Sequence, residues 1–236
     1  MATQIKQNIV TDGLDILVDV NSINCYPRSG TVVTSRILVD ASSNTNTSST
    51  SYVGDPLIIE NDGTGGDLQF SQSTDWATSS FTFSGWGYRD DLSNDRQGRI
   101  CDQLSAGNGH LRMSLLSTPN FQFRPVAGGS TTILSSSKSI QAQRWYNLVV
   151  TKEGTSSGGS AAYVMYLNGE PVDTTSSSVL VTSANFTMYR LMRSADDDQT
   201  TTSWKGKFGP FYGYTKALSQ EEVLQNYNAL KGRFKS

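Results

Sequence analysis

Three successive carboxylates, Asp196-Asp197-Asp198, form the densest run of hard oxygen donors in the chain. Hard oxygen ligands are what calcium takes. The same run also fits a solvated loop whose charges discourage edge-to-edge association, and this plainer reading is preferred. Calcium is therefore not expected, nor is any other cofactor. Asp90-Asp91 with Asn94 and Asp95 is a weaker set of the same kind, better read as a turn. Of four tryptophans, Trp76 and Trp204 fall near loops, where an indole face could stack on a sugar or close the core.

Other chemistry is excluded by what the chain lacks. His110 is the single histidine and no Gly-x-Ser-x-Gly occurs, so a Ser-His-Asp hydrolase would lack its nucleophile elbow. One histidine and two distant cysteines, Cys25 and Cys101, do not assemble a tetrahedral zinc site. No Gly-x-x-x-x-Gly-Lys phosphate loop is present. The glutamates are Glu60, Glu153, Glu170, Glu221 and Glu222. The adjacent pair opens a helix, where capping and the helix dipole explain it.

The elements that must position these residues are mostly strands. At 236 residues the chain is long enough for one large core, and an all-β domain of this size need not be divided. Charged residues are 17% and the net charge is −2, with Lys and Arg scattered singly. No basic stripe suggests nucleic acid. No run of 18 apolar residues suggests a membrane span. Residues 1–10 lack the apolar block of a signal peptide. On that reading Asn46-Thr47-Ser48 and Asn185-Phe186-Thr187 are chance glycosylation patterns, and the two cysteines are reduced, buried thiols.

Residues 1–13 read as a polar arm, and 14–236 as one domain. Leu14, Ile16, Val18 and Val20 alternate with Asp15, Leu17 and Asp19, the period of a strand with one buried face. Asp40–Thr50 is a Ser/Thr/Asn loop. Ser80–Tyr88 carries aromatics on both faces, as a central strand does. Further strand patterns follow at intervals near ten residues up to Lys205–Tyr214, and Asn168-Gly169 predicts a type I′ hairpin turn. Ser219 with Glu222 is a capping box. It opens a helix whose apolar stripe is Val223, Leu224, Tyr227 and Leu230, stopped at Lys231-Gly232. The fold class is all-β, a two-sheet antiparallel jelly-roll sandwich with one short C-terminal helix.

Several phrases, in order, carry a resemblance: Ser80-Phe81-Thr82-Phe83-Ser84-Gly85-Trp86, Trp145-Tyr146-Asn147-Leu148-Val149, Tyr166-Leu167-Asn168-Gly169-Glu170, Lys205-Gly206-Lys207-Phe208, and Lys216 through Val223. Over roughly Leu14 to Leu230 the chain resembles the laminin-G-like, concanavalin-A-like lectin/glucanase superfamily. The resemblance implies that Trp86 and Trp145 are core positions, Trp145 on the inner face. Glycosidases of that superfamily carry a Glu-x-Asp-x-x-Glu strand, which is missing here, so no enzyme is expected. Where the family often has Ile-Gly before its last loop, this chain has Tyr189-Arg190-Leu191-Met192-Arg193.

The opening, Gly13 to Asp19 followed by Ser22 to Pro27, resembles a variant found in tailed-phage virion proteins. It implies a non-enzymatic virion component, a capsid decoration, knob or fibre-associated protein, made in the host cytoplasm. Its partners would be capsid or tail proteins, with several copies or a homo-oligomer on the particle, and a cell-surface glycan as a further ligand. The alternative is a glycan-binding adhesion module using Trp76 and Trp204.

Overall fold

The computed structural model describes residues 8–22, 25, 32–33, 44–45, 50–53, 58–62, 68–71, 79–90, 98–103, 112–115, 121–124, 134–136, 138–154, 161–177, 188–191 and 205–234. The strands are β1 (Leu14–Val18), β2 (Val32–Val33), β3 (Asn44–Thr45), β4 (Thr50–Val53), β5 (Ile58–Asp62), β6 (Leu68–Ser71), β7 (Phe81–Arg89) and β8 (Gly98–Gln103). They continue as β9 (Arg112–Leu115), β10 (Phe121–Arg124), β11 (Leu134–Ser135), β12 (Trp145–Glu153), β13 (Ala161–Leu167), β14 (Glu170–Ser177), β15 (Met188–Leu191) and β16 (Lys205–Tyr214). Among the described residues the α-helix is α1 (Gln220–Leu230), which runs into a 3-10 turn at Lys231–Arg233.

Two antiparallel sheets make the sandwich. The larger has the order β14-β13-β12-β7-β16-β5-β4, and β1 also pairs with β16. β5 takes one edge of β16 along Lys205–Phe208 and β1 takes it along Phe211–Tyr214. The smaller sheet has the order β11-β10-β9-β8-β15-β6, and β2 and β3 form a separate pair. Asp173 ties the sheets at one margin, where its carboxylate accepts from the Ser135 amide at 2.7 Å.

Strand alternation sends every second residue to the space between the sheets. Phe81 and Phe83 of β7, Leu148 and Val150 of β12, and Phe208 and Phe211 of β16 meet Phe121 and Phe123 of β10 there. Phe83 stacks on Phe211 at 5.8 Å. β7 is buried on both faces, as its pattern of aromatics requires. Its other face holds Trp86, which belongs to a second apolar layer with Val149, Tyr166, Tyr212, Tyr214, Leu218, Val223, Leu230 and Phe234. Burial of each large side chain contributes about 1.5–3 kcal/mol, so this outer layer is a second core.

Helix α1 forms where its capping predicts. The Glu222 amide donates to Ser219 Oγ and the Ser219 amide donates to the Glu222 carboxylate. The stripe differs from expectation: Leu224 is exposed and Asn226 is buried in its place. The helix tightens at Lys231 into the 3-10 turn. That turn is held by Arg233, whose guanidinium forks onto Asp19 at 2.6 and 2.9 Å. Asn168 and Gly169 take φ of 54° and 84°, the left-handed pair that closes β13 onto β14 in a type I′ turn.

The inner-face placement of Trp145 is corrected, and the described end of the N-terminal arm meets the domain. The final residues of the N-terminal arm are fastened to the domain itself: Val10 is buried, its amide donates to Asn226 Oδ1 at 2.7 Å, and its carbonyl accepts from Tyr214 Oη at 3.2 Å. Short polar sequence hid this because the contacts are hydrogen bonds to residues over two hundred positions away. Trp145 is half-buried in the outer layer, on the face opposite the inter-sheet core. It pairs directly with Tyr88, and so shares the outward face of β7. Cys25 is buried, its thiol 3.6 Å from the Leu17 carbonyl.

Candidate functional site

The residues singled out in sequence for stacking and for metal, Trp76, Trp204 and Asp196-Asp197-Asp198, lie outside the described residues, as does His110. Among the described residues no group of three or more His, Cys, Asp or Glu could hold a metal ion.

The register of the large sheet assembles a different constellation. Trp145 of β12 lies opposite Tyr88 of β7, Tyr88 opposite Lys207 of β16, and Lys207 opposite Glu60 of β5. Directly paired residues share a face, so the four side chains stand in one outward row. Neighbouring strands are separated by about 4.8 Å, which makes the row about 14 Å long. All four are half-buried. Lys207 leans toward the aromatic end, its ammonium 5.1 Å from the centre of the Tyr88 ring.

Behind the row the aromatic contacts continue without a break. Tyr88 and Trp145 are 5.6 Å apart, Trp145 and Phe234 4.7 Å, Phe234 and Trp86 4.4 Å, and Trp86 and Tyr227 5.6 Å between ring centres. Lys231 lies 5.5 Å from the Tyr227 ring, so an ammonium caps each end of a five-ring ladder. Gly209 makes this possible. A Cβ there would come within 2.8 Å of the Trp86 Cβ and 2.9 Å of the Phe234 ring, so only a bare backbone lets the C-terminal phenylalanine lie flat. Trp86, fourth in the ladder, is its most buried ring at 2% exposure, and Trp145 with Tyr88 is the end that solvent reaches.

Chemically, the row offers two partly exposed aromatic rings, an ammonium donor and a carboxylate acceptor. Most glycoside hydrolases use two facing carboxyl groups, sialidases with a Tyr nucleophile being an exception; the row holds one carboxylate, Glu60. Phenols elsewhere are structural. Burial pushes the Tyr163 hydroxyl up to about 12 within the inter-sheet core, and burial likewise raises Tyr214.

Sequence reasoning placed Trp145 in the core and did not single out Tyr88, Lys207 or Glu60. The needed signal was strand pairing. The four residues are scattered over nearly 150 positions, and only the register of three strand pairs brings them abreast. Arg144, exposed beside Trp145, was the local hint that the strand begins at the surface.

A sequence profile of the concanavalin A-like lectin/glucanases superfamily matches residues 62–224, more than half of the chain. No curated protein sequence matches. Among solved structures, a mutant of Trypanosoma rangeli sialidase displaying trans-sialidase activity is similar with a TM-score of 0.70 at 15% identity, over 97% of this chain and 35% of that one. The binding domain of botulinum neurotoxin serotype D/C is similar with a TM-score of 0.68 at 14% identity, over 92% of this chain and 52% of that one. A binding domain of botulinum neurotoxin DC in complex with SialylT gives 0.65 at 14%, over 93% and 52%. The chain thus spans about a third of the sialidase and about half of the toxin domains. At such identities the likeness is one of fold.

Proposed function

The chain belongs to the concanavalin A-like lectin/glucanases superfamily, and on that premise we propose that it is a non-catalytic glycan-binding module. The observation that carries the proposal is the half-exposed row Trp145–Tyr88–Lys207–Glu60, with ring faces and polar groups side by side on a rigid sheet. Fold alone does not choose between lectin and hydrolase. The missing Glu-x-Asp-x-x-Glu strand speaks against the two-carboxylate hydrolysis found in that superfamily. A solved relative of similar fold is a toxin binding domain in complex with SialylT, which agrees with a sugar-recognising role.

The test is a glycan array probed with the recombinant chain and with Tyr88→Ala, together with an assay for reducing sugar. Binding that weakens in the variant, without sugar release, is expected. Turnover abolished by one Asp or Glu substitution would replace the binding reading with a catalytic one.

The setting is a virion, as a decoration, knob or fibre-associated component present in several copies. The phage-like opening from Gly13 to Pro27 supports this. Mass spectrometry of purified particles is the direct check, and absence of the chain from them would sink this part of the proposal.

A further inference from the structure

We propose that the row takes a carboxylated sugar, with Lys207 as the group that selects the acid. The inference rests on the glycan-binding reading and adds the ligand class. Two observations carry it. Lys207 is the one cation of the row, standing between Tyr88 and Glu60. The Lys207 ammonium is poised over the Tyr88 ring, on the side of the row away from Glu60. The aromatic end of the platform is therefore its cationic end, and the carboxylate of Glu60 closes the other.

This asymmetry sets an orientation. A pyranose laid on Trp145 and Tyr88 presents its carboxylate to Lys207 from the aromatic side, where Coulomb attraction is not opposed at close range by Glu60. Sugar hydroxyls extending past Lys207 meet Glu60 as an acceptor. A reversed ligand would bring two carboxylates together, and like charges at that spacing repel. A neutral sugar keeps the stacking but loses the charge-assisted hydrogen bond, which is worth more than a neutral one.

The experiment is calorimetric titration of the recombinant chain with 3′-sialyllactose and with trigalacturonate, each against a neutral counterpart, lactose and carboxyl-reduced trigalacturonate. At least one acid is expected to bind about tenfold tighter than its neutral form, the scale of one hydrogen bond to a charged group. Added salt should narrow that gap. Lys207→Gln should bring the ratio of acid to neutral affinity close to one, and Glu60→Gln should hold or increase that ratio. Equal binding of acid and neutral forms, unchanged in Lys207→Gln, would overturn the selectivity and leave the glycan-binding reading standing. Loss of acid preference in Glu60→Gln alone would overturn the orientation. No binding by any of the four sugars, with a blank glycan array, would remove both readings.

Discussion

The amide of Val10 meets the side-chain oxygen of Asn226 at 2.7 Å across 216 positions of sequence. Asn226 Nδ2 in turn donates to Tyr214 Oη at 2.9 Å, and Tyr214 Oη donates to the Val10 carbonyl at 3.2 Å. Three buried residues thus close a ring of hydrogen bonds that joins the N-terminal segment, the last strand and the helix.

Asn226→Ala should break this ring at two of its three bonds and leave the Val10 amide and one side of the Tyr214 hydroxyl unpaired. The expected loss is about 1–3 kcal/mol, read from the midpoint of urea unfolding. Deletion of residues 2–12 should cost at least as much, because it also removes Asp12 from Lys216 at 2.8 Å. An unchanged midpoint in both would mean that the arm adds nothing to the domain.

The two tryptophans of the aromatic ladder should separate in the same assay. Trp86→Ala removes a fully enclosed indole and should cost about 3–5 kcal/mol. Trp145→Ala, at the solvent end, should cost distinctly less. The reverse ranking would contradict the placement of Trp145 on the outer face.

Gly209→Ala should force the Phe234 ring off the sheet and destabilise by about 1–3 kcal/mol, the cost of overpacking. Gly232→Ala, whose added methyl would meet open space, is the control and should be neutral or slightly stabilising. Tryptophan fluorescence should shift in the first variant and not in the second.

Acid sensitivity should run through Lys216, which pairs with both Asp12 and Glu222 at 2.8 Å. The Lys216 hydrogen bond and charge hold Asp12 below its ordinary value. Burial opposes the shift at Glu222, but the hydrogen bonds from Lys216 and the Ser219 amide win and lower it. Depressed carboxylates contribute stability that is complete above their ordinary values and fades as pH falls through the lowered ones. The melting temperature should therefore be flat just above 4.5 and fall below it. Asp12 is exposed and Glu222 is only partly covered, so the effect is small. Lys216→Met should flatten the acid limb, and an identical limb in that variant would refute the assignment.

Much of the fold was legible because it depends on local signals. Phe81 and Phe83 alternate with Thr82 and Ser84, Asn168-Gly169 tolerates positive φ, and Ser219 with Glu222 caps a helix; each can be read within ten residues. The site was not legible for the opposite reason. Trp145, Tyr88, Lys207 and Glu60 acquire a common face only through pairing register, which no short window contains. Trp145 was misplaced because an indole opening an apolar strand looks the same whichever face it takes. The face depends on Phe234, almost ninety residues later, lying across Gly209 to cover it.

The strand in the middle of the large sheet, β16, follows its partners β1, β5 and β7 late in sequence. Until Lys205–Tyr214 leaves the ribosome, β7 and β5 have no partner between them, and β1 has none among the described residues. A nascent chain grows at about 5–20 residues per second, so for seconds the growing polypeptide carries open, apolar strand edges that invite wrong pairing. Such a chain cannot fold domain-first as it emerges. It must wait, and the keystone strand then closes the sheet in one late, cooperative step. Stop codons anywhere before β16 should yield insoluble product, however much of the sandwich they leave encoded.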